Sequence, residues 1–166
     1  MQSIDFFADA ENYFAQMVVK LQSQVTKENH LDILEDDLLE ETRELARLLL
    51  QGHIDSRGFG DIGATVITTE KVKLQNRGKR QRALKTIFGE INLNRLSYSS
   101  VGHQSLFPLD AGRYLPRCSF SYGLQQMLVR EIITGSFFDT SFDNRTAYWY
   151  ANWSTTSLGN RQTMCD

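Results

Sequence analysis

Cysteine and proline are scarce in this chain, which has two of each among its 166 residues. Cys118 and Cys165 stand far apart and lack the spacing of metal ligands, which argues against a disulfide framework and a structural zinc site. An apolar core must therefore hold the fold. The 41% hydrophobic and 23% charged residues are ordinary for a globular protein of one domain or two small ones.

Long apolar runs are also lacking. No run approaches the roughly 20 residues that a membrane-spanning helix needs. The N-terminal sequence MQSIDFFADAENYF has acidic residues where a secretory signal carries basic ones. We therefore expect a cytoplasmic protein that has no membrane partner.

Motifs for catalysis are absent from the sequence. The three histidines are dispersed, and although His53 with Asp55 is conceivable as a metal-ligand pair, a surface or helix-end role is the commoner use of such a histidine. No G-x-S-x-G nucleophile motif occurs. The glycines of SRGFGDIGAT (56–65) have the wrong spacing for a phosphate-binding loop. The sequence thus predicts no catalytic residues and no metal site.

Charge is distributed unevenly along the chain, although its net value is only −2. Residues 1–70 contain 5 Lys and Arg against 14 Asp and Glu, a net charge of −9, whereas residues 71–166 contain 13 against 6, a net charge of +7. This asymmetry predicts different roles for the two halves and an anionic partner for the basic half.

Apolar periodicity predicts an α+β fold with three regions: an acidic helical region (1–56), a basic β-hairpin region (57–100) and an incomplete, helix-turn-helix-like helical region (101–166). Apolar residues recur at three- and four-residue steps over 4–25, 31–54 and 121–134, each of which is predicted to be a helix. The acidic run in the second of these helices is typical of a solvated helix face.

Helix-capping residues mark the third region. Ser119 or Ser121 is the expected cap of the third helix. Ser136 with Asp139 resembles the capping box of another helix. Over 137–153 the sequence is rich in aromatic residues, for which filling a core is a commoner use than stacking on bases.

The hairpin is predicted from alternating residues on either side of Gly89, which can supply the positive φ of a tight turn. A short strand is expected at 64–69. After the turn, the apolar residues change from odd-numbered positions (Ile91 and Leu93) to even-numbered ones (Leu96 and Tyr98), which would place them on opposite faces of a regular strand. Because one extra residue restores such a switch, we expect a β-bulge near residues 94 and 95.

The strongest electrostatic feature is the basic segment NRGKRQRALKTIFGE at 76–90. A two-stranded ribbon of this charge can lie against the phosphate backbone of DNA. The predicted phosphate contacts are Arg77, Lys79, Arg80, Arg82, Lys85 and Arg95. Lys and Arg also protect exposed sheet edges from aggregation, so a non-catalytic structural or protein-interaction domain with a charged edge hairpin is the alternative.

Three runs of the sequence resemble the N-terminal region of bacterial insertion-sequence transposases of the ISKra type. They are LLLQGHIDSRG (48–58), RQRALKTIFGEINLNRLSYSSVGHQSLFPLDAGRYLP (80–116) and SYGLQQMLVREIITGSFFD (121–139). The ordered steps of that family appear as HID at 53–55, the basic strand RALK at 82–85, TIFGE at 86–90, RLSY at 95–98, PLD at 108–110, LP at 115–116 and GSF at 135–137. A Tyr-Ser step is reordered in CSFSY at 118–122, and agreement fades after Asp139.

The resemblance implies a DNA-binding fragment that recognises the terminal inverted repeats of a mobile element during DNA transposition. Such transposases carry a following RNase H-like domain whose three carboxylates hold two metal ions, and that domain needs about 100–200 further residues. We therefore expect a truncated transposase that is not an enzyme as it stands, with no cofactor here and Mg²⁺ belonging to the missing domain. The resemblance also implies a nucleoid-associated protein whose acidic helices self-associate as a homo-oligomer or pack on that domain.

Overall fold

The computed structural model describes residues 5–112 and 115–134, and the predicted α+β class is confirmed. The helices are α1 (Ala8–Gln22), α2 (Gln24–Lys27), α3 (Leu31–Ser56), α4 (Pro108–Gly112) and α5 (Tyr122–Thr134). The strands are β1 (Thr65–Ile67), β2 (Lys73–Thr86) and β3 (Gly89–Ser99), which form an antiparallel sheet in the order β1-β2-β3.

Helix α1 ends earlier than predicted. Ser23 interrupts the apolar pattern because its extended backbone begins the short α2, where its Oγ accepts a hydrogen bond from the Thr26 N–H at 3.3 Å. Helix α1 packs against α3, and Ala10 and Met17 of α1 are both buried. The predicted first residue, Ile4, lies outside the described part of the chain, and the helix begins at Ala8, later than predicted.

Helix α3 confirms the prediction for 31–54 and continues for two residues. Its last turns pack on β3, where Leu50 and Ile54 contact the sheet. The side chain of Gln51 bonds both backbone groups of Asn92, at 2.9 and 2.8 Å, and so covers the outer edge of β3. This docking joins the acidic helical region to the hairpin, and the division of the chain into three regions stays a prediction.

Strands β2 and β3 form a long two-stranded ribbon with its turn at residues 87 and 88. Thr86 pairs with Gly89, whose φ of +128° confirms the predicted use of this glycine. The Thr86 hydroxyl donates to the Gly89 carbonyl at 2.8 Å and accepts from the Phe88 N–H at 3.2 Å, which fixes the turn. The short strand expected at 64–69 is present as β1.

The bulge expected near residues 94 and 95 is wrong. Pairing is continuous there, with Asn94 opposite Gln81 and Arg95 opposite Arg80. The irregularity lies in β2, between Asn76 and Lys79, where Gly78 has a φ of +86°. Because side chains alternate along an uninterrupted strand, the apolar residues 93 and 96 of β3 point to opposite faces of the ribbon.

Two apolar clusters therefore hold the ribbon, one on each face. The proximal core contains Leu74, Leu96 and Tyr98, against which Val66, Val72 and Leu106 pack. The distal core, near the turn, contains Leu84, Ile91 and Leu93, against which Leu50, Ile54 and Leu115 pack. The change from odd- to even-numbered apolar positions in β3 therefore needs no bulge, because other segments pack on opposite faces at the two ends of the ribbon.

The loop before β1 is fixed by the proximal core. Tyr98 is fully buried, and its hydroxyl bonds the Gly63 carbonyl at 2.9 Å, the Ile62 N–H at 3.1 Å and Asp61 Oδ1 at 3.2 Å. Leu106 exchanges two backbone hydrogen bonds with Tyr98, at 2.8 and 2.9 Å. The SRGFGDIGAT connection is therefore anchored to the sheet.

Helix α5 confirms the prediction for 121–134, and Ser121 is its cap, since the Leu124 N–H donates to Ser121 Oγ at 3.2 Å. Leu124 is buried, whereas Ile132 and Ile133 of the predicted apolar set are 60% and 77% exposed. The predicted capping box at 136–139, the remainder of the helix-turn-helix-like region and the aromatic segment 137–153 lie outside the described residues. Among the described helices, none is long and apolar enough to cross a membrane.

Candidate nucleic-acid interface

Three of the six predicted cations are exposed near the bulge of β2. They are Arg77, Lys79 and Arg80. None of the three forms an ion pair within residues 5–112 and 115–134. Lys79 Nζ lies 3.9 Å from the ring centroid of Phe59, a cation–π contact that leaves the ammonium accessible. Lys71 and Lys73 are also exposed, at the start of the same strand.

Arg82 and Arg95 are tied into the protein instead. Both approach Asp110 Oδ2 of α4, Arg82 Nη1 at 3.4 Å and Arg95 Nη1 in a closer ion pair. Arg82 Nη2 also donates to the carbonyls of Pro116 (2.6 Å) and Cys118. Their side chains are only 13% and 14% exposed. These two arginines cross-link the ribbon to the 108–118 segment.

The arginine cluster has more positive than negative charge. Arg80 lies directly opposite Arg95, and Arg82 follows two residues later on the same face, with Asp110 as the carboxylate that Arg82 and Arg95 share. Burial lowers the pKa of Arg95 against the opposing attraction of Asp110, and the charge of Arg82 lowers it further. The guanidinium nevertheless stays protonated at neutral pH. The exposed Arg80 therefore stands beside an excess of positive charge, a field that attracts anions.

Lys85 is half-buried at the other end of β2. Its backbone N–H donates to the Ser119 carbonyl and its carbonyl accepts from the Ser121 N–H, both at 2.8 Å. Its Nζ lies 5.9 Å from the Phe120 ring centroid, and its cross-strand partner is Glu90. Lys85 thus remains near the surface, but its charge is partly offset by that carboxylate.

The distal half of the ribbon carries an open face, opposite the distal core, that the sequence analysis missed. Gln81 stands directly opposite Asn94, and Ala83 directly opposite Asn92, so these residues share one face. Gln81, Ala83 and Asn92 are exposed, and Asn94 is partly exposed. The signal was the alternation INLN at 91–94, which sends both asparagines to the face opposite Ile91 and Leu93.

The conceivable metal pair is not assembled into a site. His53 is exposed in the last turn of α3, and the Asp55 carboxylate accepts from Gln51 Nε2 at 2.9 Å. Among the residues that the structure describes, no group of three or more His, Cys, Asp and Glu side chains is arranged to hold a metal ion.

Comparison with known proteins identifies no relative. No protein-family model matches the chain, and no curated protein or solved structure is significantly similar to it.

Proposed function

We propose that this chain binds DNA through the β2–β3 ribbon. The observation that carries the proposal is the exposed group of Arg77, Lys79 and Arg80, which has no acidic partner among the described residues although the chain has a net negative charge. Cations that are not neutralised by the protein are free to replace the counterions of a phosphate backbone. The excess charge of the neighbouring arginine cluster supports the same reading.

The resemblance to insertion-sequence transposases favours a particular role for this binding. In the proposal the chain recognises the terminal inverted repeats of a mobile element during DNA transposition, as a nucleoid-associated protein of the bacterial cytoplasm. Arg77, Lys79 and Arg80 contact phosphates directly, and Lys85 does so more weakly. The ion pairs with Asp110 favour a supporting role for Arg82 and Arg95, which hold the ribbon in place and add to its field.

A salt titration with a duplex DNA of about 30 base pairs tests the proposal. We expect log K to fall linearly with log[salt], with a slope of about −0.9 for each phosphate that is neutralised. The triple variant Arg77→Ala, Lys79→Ala and Arg80→Ala removes three cations, and its slope should be shallower by roughly 0.9 per cation that touches a phosphate.

Lys27→Ala is the matched control, because Lys27 is exposed on α2 and away from the ribbon. It should leave the slope unchanged. An affinity for DNA that does not vary with salt, or an unchanged slope in the triple variant, contradicts the proposal.

A second candidate function is a non-catalytic protein-interaction domain that uses the N-terminal helices. Apolar side chains are exposed along them: Phe14 is 54% exposed, Val25 76% and Leu31 69%. Apolar surface left in water favours association. Concentration-dependent oligomerisation in sedimentation velocity, without measurable DNA binding, would favour this candidate over the first.

A further inference from the structure

Three carboxamides on the open face have no hydrogen-bond partner for their side chains within the described residues. They belong to Gln81, Asn92 and Asn94. The backbone of Asn92 is bonded to Gln51, so the strand is held while its side chain is left free. An amide on a fixed strand presents a donor and an acceptor in a fixed direction, which makes it suited to pair with another planar polar edge.

The spacing of the two lysines that flank the amides suits a ribbon that lies in a DNA groove. Lys79 and Lys85 stand on the same face as the amides, one beyond each end of them. Six strand residues at about 3.3 Å per residue separate the two lysines by roughly 20 Å. The major groove of B-DNA is about 12 Å wide and admits a two-stranded ribbon. With the amides in the groove, the lysines lie far enough apart to reach phosphates on either side of it.

We infer that Gln81, Asn92 and Asn94 read base edges in the major groove of duplex DNA, with adenine as the preferred base. A carboxamide forms two hydrogen bonds with adenine: its NH₂ group donates to N7, and its oxygen accepts from the N6 amino group. Phosphate contacts by the cations set position, and base contacts by the amides set sequence preference. This inference rests on the proposed DNA binding and assigns the specificity of that same interface.

Selection from a pool of DNA duplexes with a randomised centre, using the full chain, tests the inference. We expect an enriched motif that contains A·T pairs. One good amide–base pair provides about a 5- to 150-fold preference for the motif over a scrambled duplex. The triple variant Gln81→Ala, Asn92→Ala and Asn94→Ala should lose a preference of at least this size. The slope of log K against log[salt] should persist, because the cations are retained.

The control variant replaces three exposed amides of α1, Asn12, Gln16 and Gln22, by Ala and should keep the preference. Thermal unfolding of each variant establishes that it is folded. Salt-dependent binding without any preferred sequence, or a preference that survives in the ribbon variant, overturns the base-reading inference while DNA binding stands. No binding to any duplex overturns both.

A duplex RNA of the selected sequence separates the two kinds of nucleic acid. The major groove of an A-form helix is too narrow and deep for the ribbon, so we expect the preference to vanish with RNA. An equal preference for the RNA duplex would overturn the inference.

Discussion

At the scale of single residues, Asp110 decides which cations of the ribbon are available. One carboxylate pairs with two guanidinium groups that are mostly buried, and Arg95 also lies over the ring of Phe107 at 3.8 Å from its centroid. The arginines are 28 and 15 residues from Asp110 in sequence. Nothing in the local pattern of β2 or β3 separates these arginines from the free ones, which is why all six cations were predicted to be equivalent.

We expect Asp110→Asn to destabilise the fold by about 3 kcal/mol, because removing one partner leaves buried charges without compensation. Urea unfolding followed by circular dichroism measures this change. Glu44→Gln is the matched control, since it removes the partner of Arg47 in a more exposed pair on α3 and should cost about 1 kcal/mol or less. Equal effects of the two substitutions would contradict this account of the cluster.

Tyr13 provides a prediction about pH. Its phenol donates to Glu41 at 2.6 Å, and this hydrogen bond to a carboxylate, with burial and the charge of Glu41, raises its pKa from 10.0 to about 12. A pKa that is higher in the folded state stabilises the fold fully below pH 10, and this contribution disappears as pH rises through 12.

Ultraviolet titration of the tyrosines, with Tyr13→Phe to assign the signal, should show one phenol that ionises near pH 12. Glu41→Gln should return that ionisation towards the ordinary value, because it removes the negative charge. A normal pKa for Tyr13 in the unaltered chain would show that the hydrogen bond does not persist in solution.

At the scale of elements, a buried glycine sets how closely the N-terminal segment approaches α3. A Cβ on Gly52 would lie 2.3 Å from the carbonyl oxygen of Phe6 and 3.1 Å from the ring of Phe7. The backbone oxygen cannot move aside as the end of a flexible side chain can. We therefore expect Gly52→Ala to destabilise the protein by about 1–3 kcal/mol, despite the better helix propensity of Ala.

Gly123→Ala in α5 is the control, because the added Cβ would have ordinary contacts, with Ile87 Cγ2 at 3.8 Å. Because Gly123 lies in the first turn of α5, the propensity of Ala should stabilise the helix there by at most about 1 kcal/mol. Thermal unfolding of both variants measures the difference. A stabilised Gly52→Ala variant would contradict the tight packing of Phe6 on α3.

Periodicity was sufficient to predict most elements, because α3, α5 and the turn at Gly89 are specified by residues close in sequence. It failed at the change from odd- to even-numbered apolar positions between Leu93 and Leu96. The local pattern shows which residues are apolar but not what covers them, and here Leu106 and Leu115 arrive from a connector that has no periodicity of its own. The candidate site shows the same limit, since its position was predicted from charge but its open amide face depends on which side α3 occupies.

At the scale of the whole molecule, opposite charges are kept on separate elements. The acidic run of α3 lies in its first half, which packs with α1, whereas the last turns, with Leu50 and Ile54, contact the ribbon. The carboxylates of that first half therefore do not neutralise Arg77, Lys79 or Arg80. The overall charge of −2 consequently says little about the charge that a partner would meet at the ribbon.

The division of the ribbon between a proximal and a distal core has a consequence for how the molecule opens. The two clusters share no residue, and residues 75–81 between them in β2 are exposed and include three cations, so we expect each end to separate from its cover without the other. Ile54→Ala should then accelerate hydrogen–deuterium exchange at residues 91–93, and Val66→Ala at residues 96–98. Uniform acceleration along β3 in either variant would show a single cooperative unit. If the two ends do exchange separately, the proximal and distal cores hold the ribbon independently of each other. The cationic segment between them can then twist to follow a curved surface while both cores stay packed.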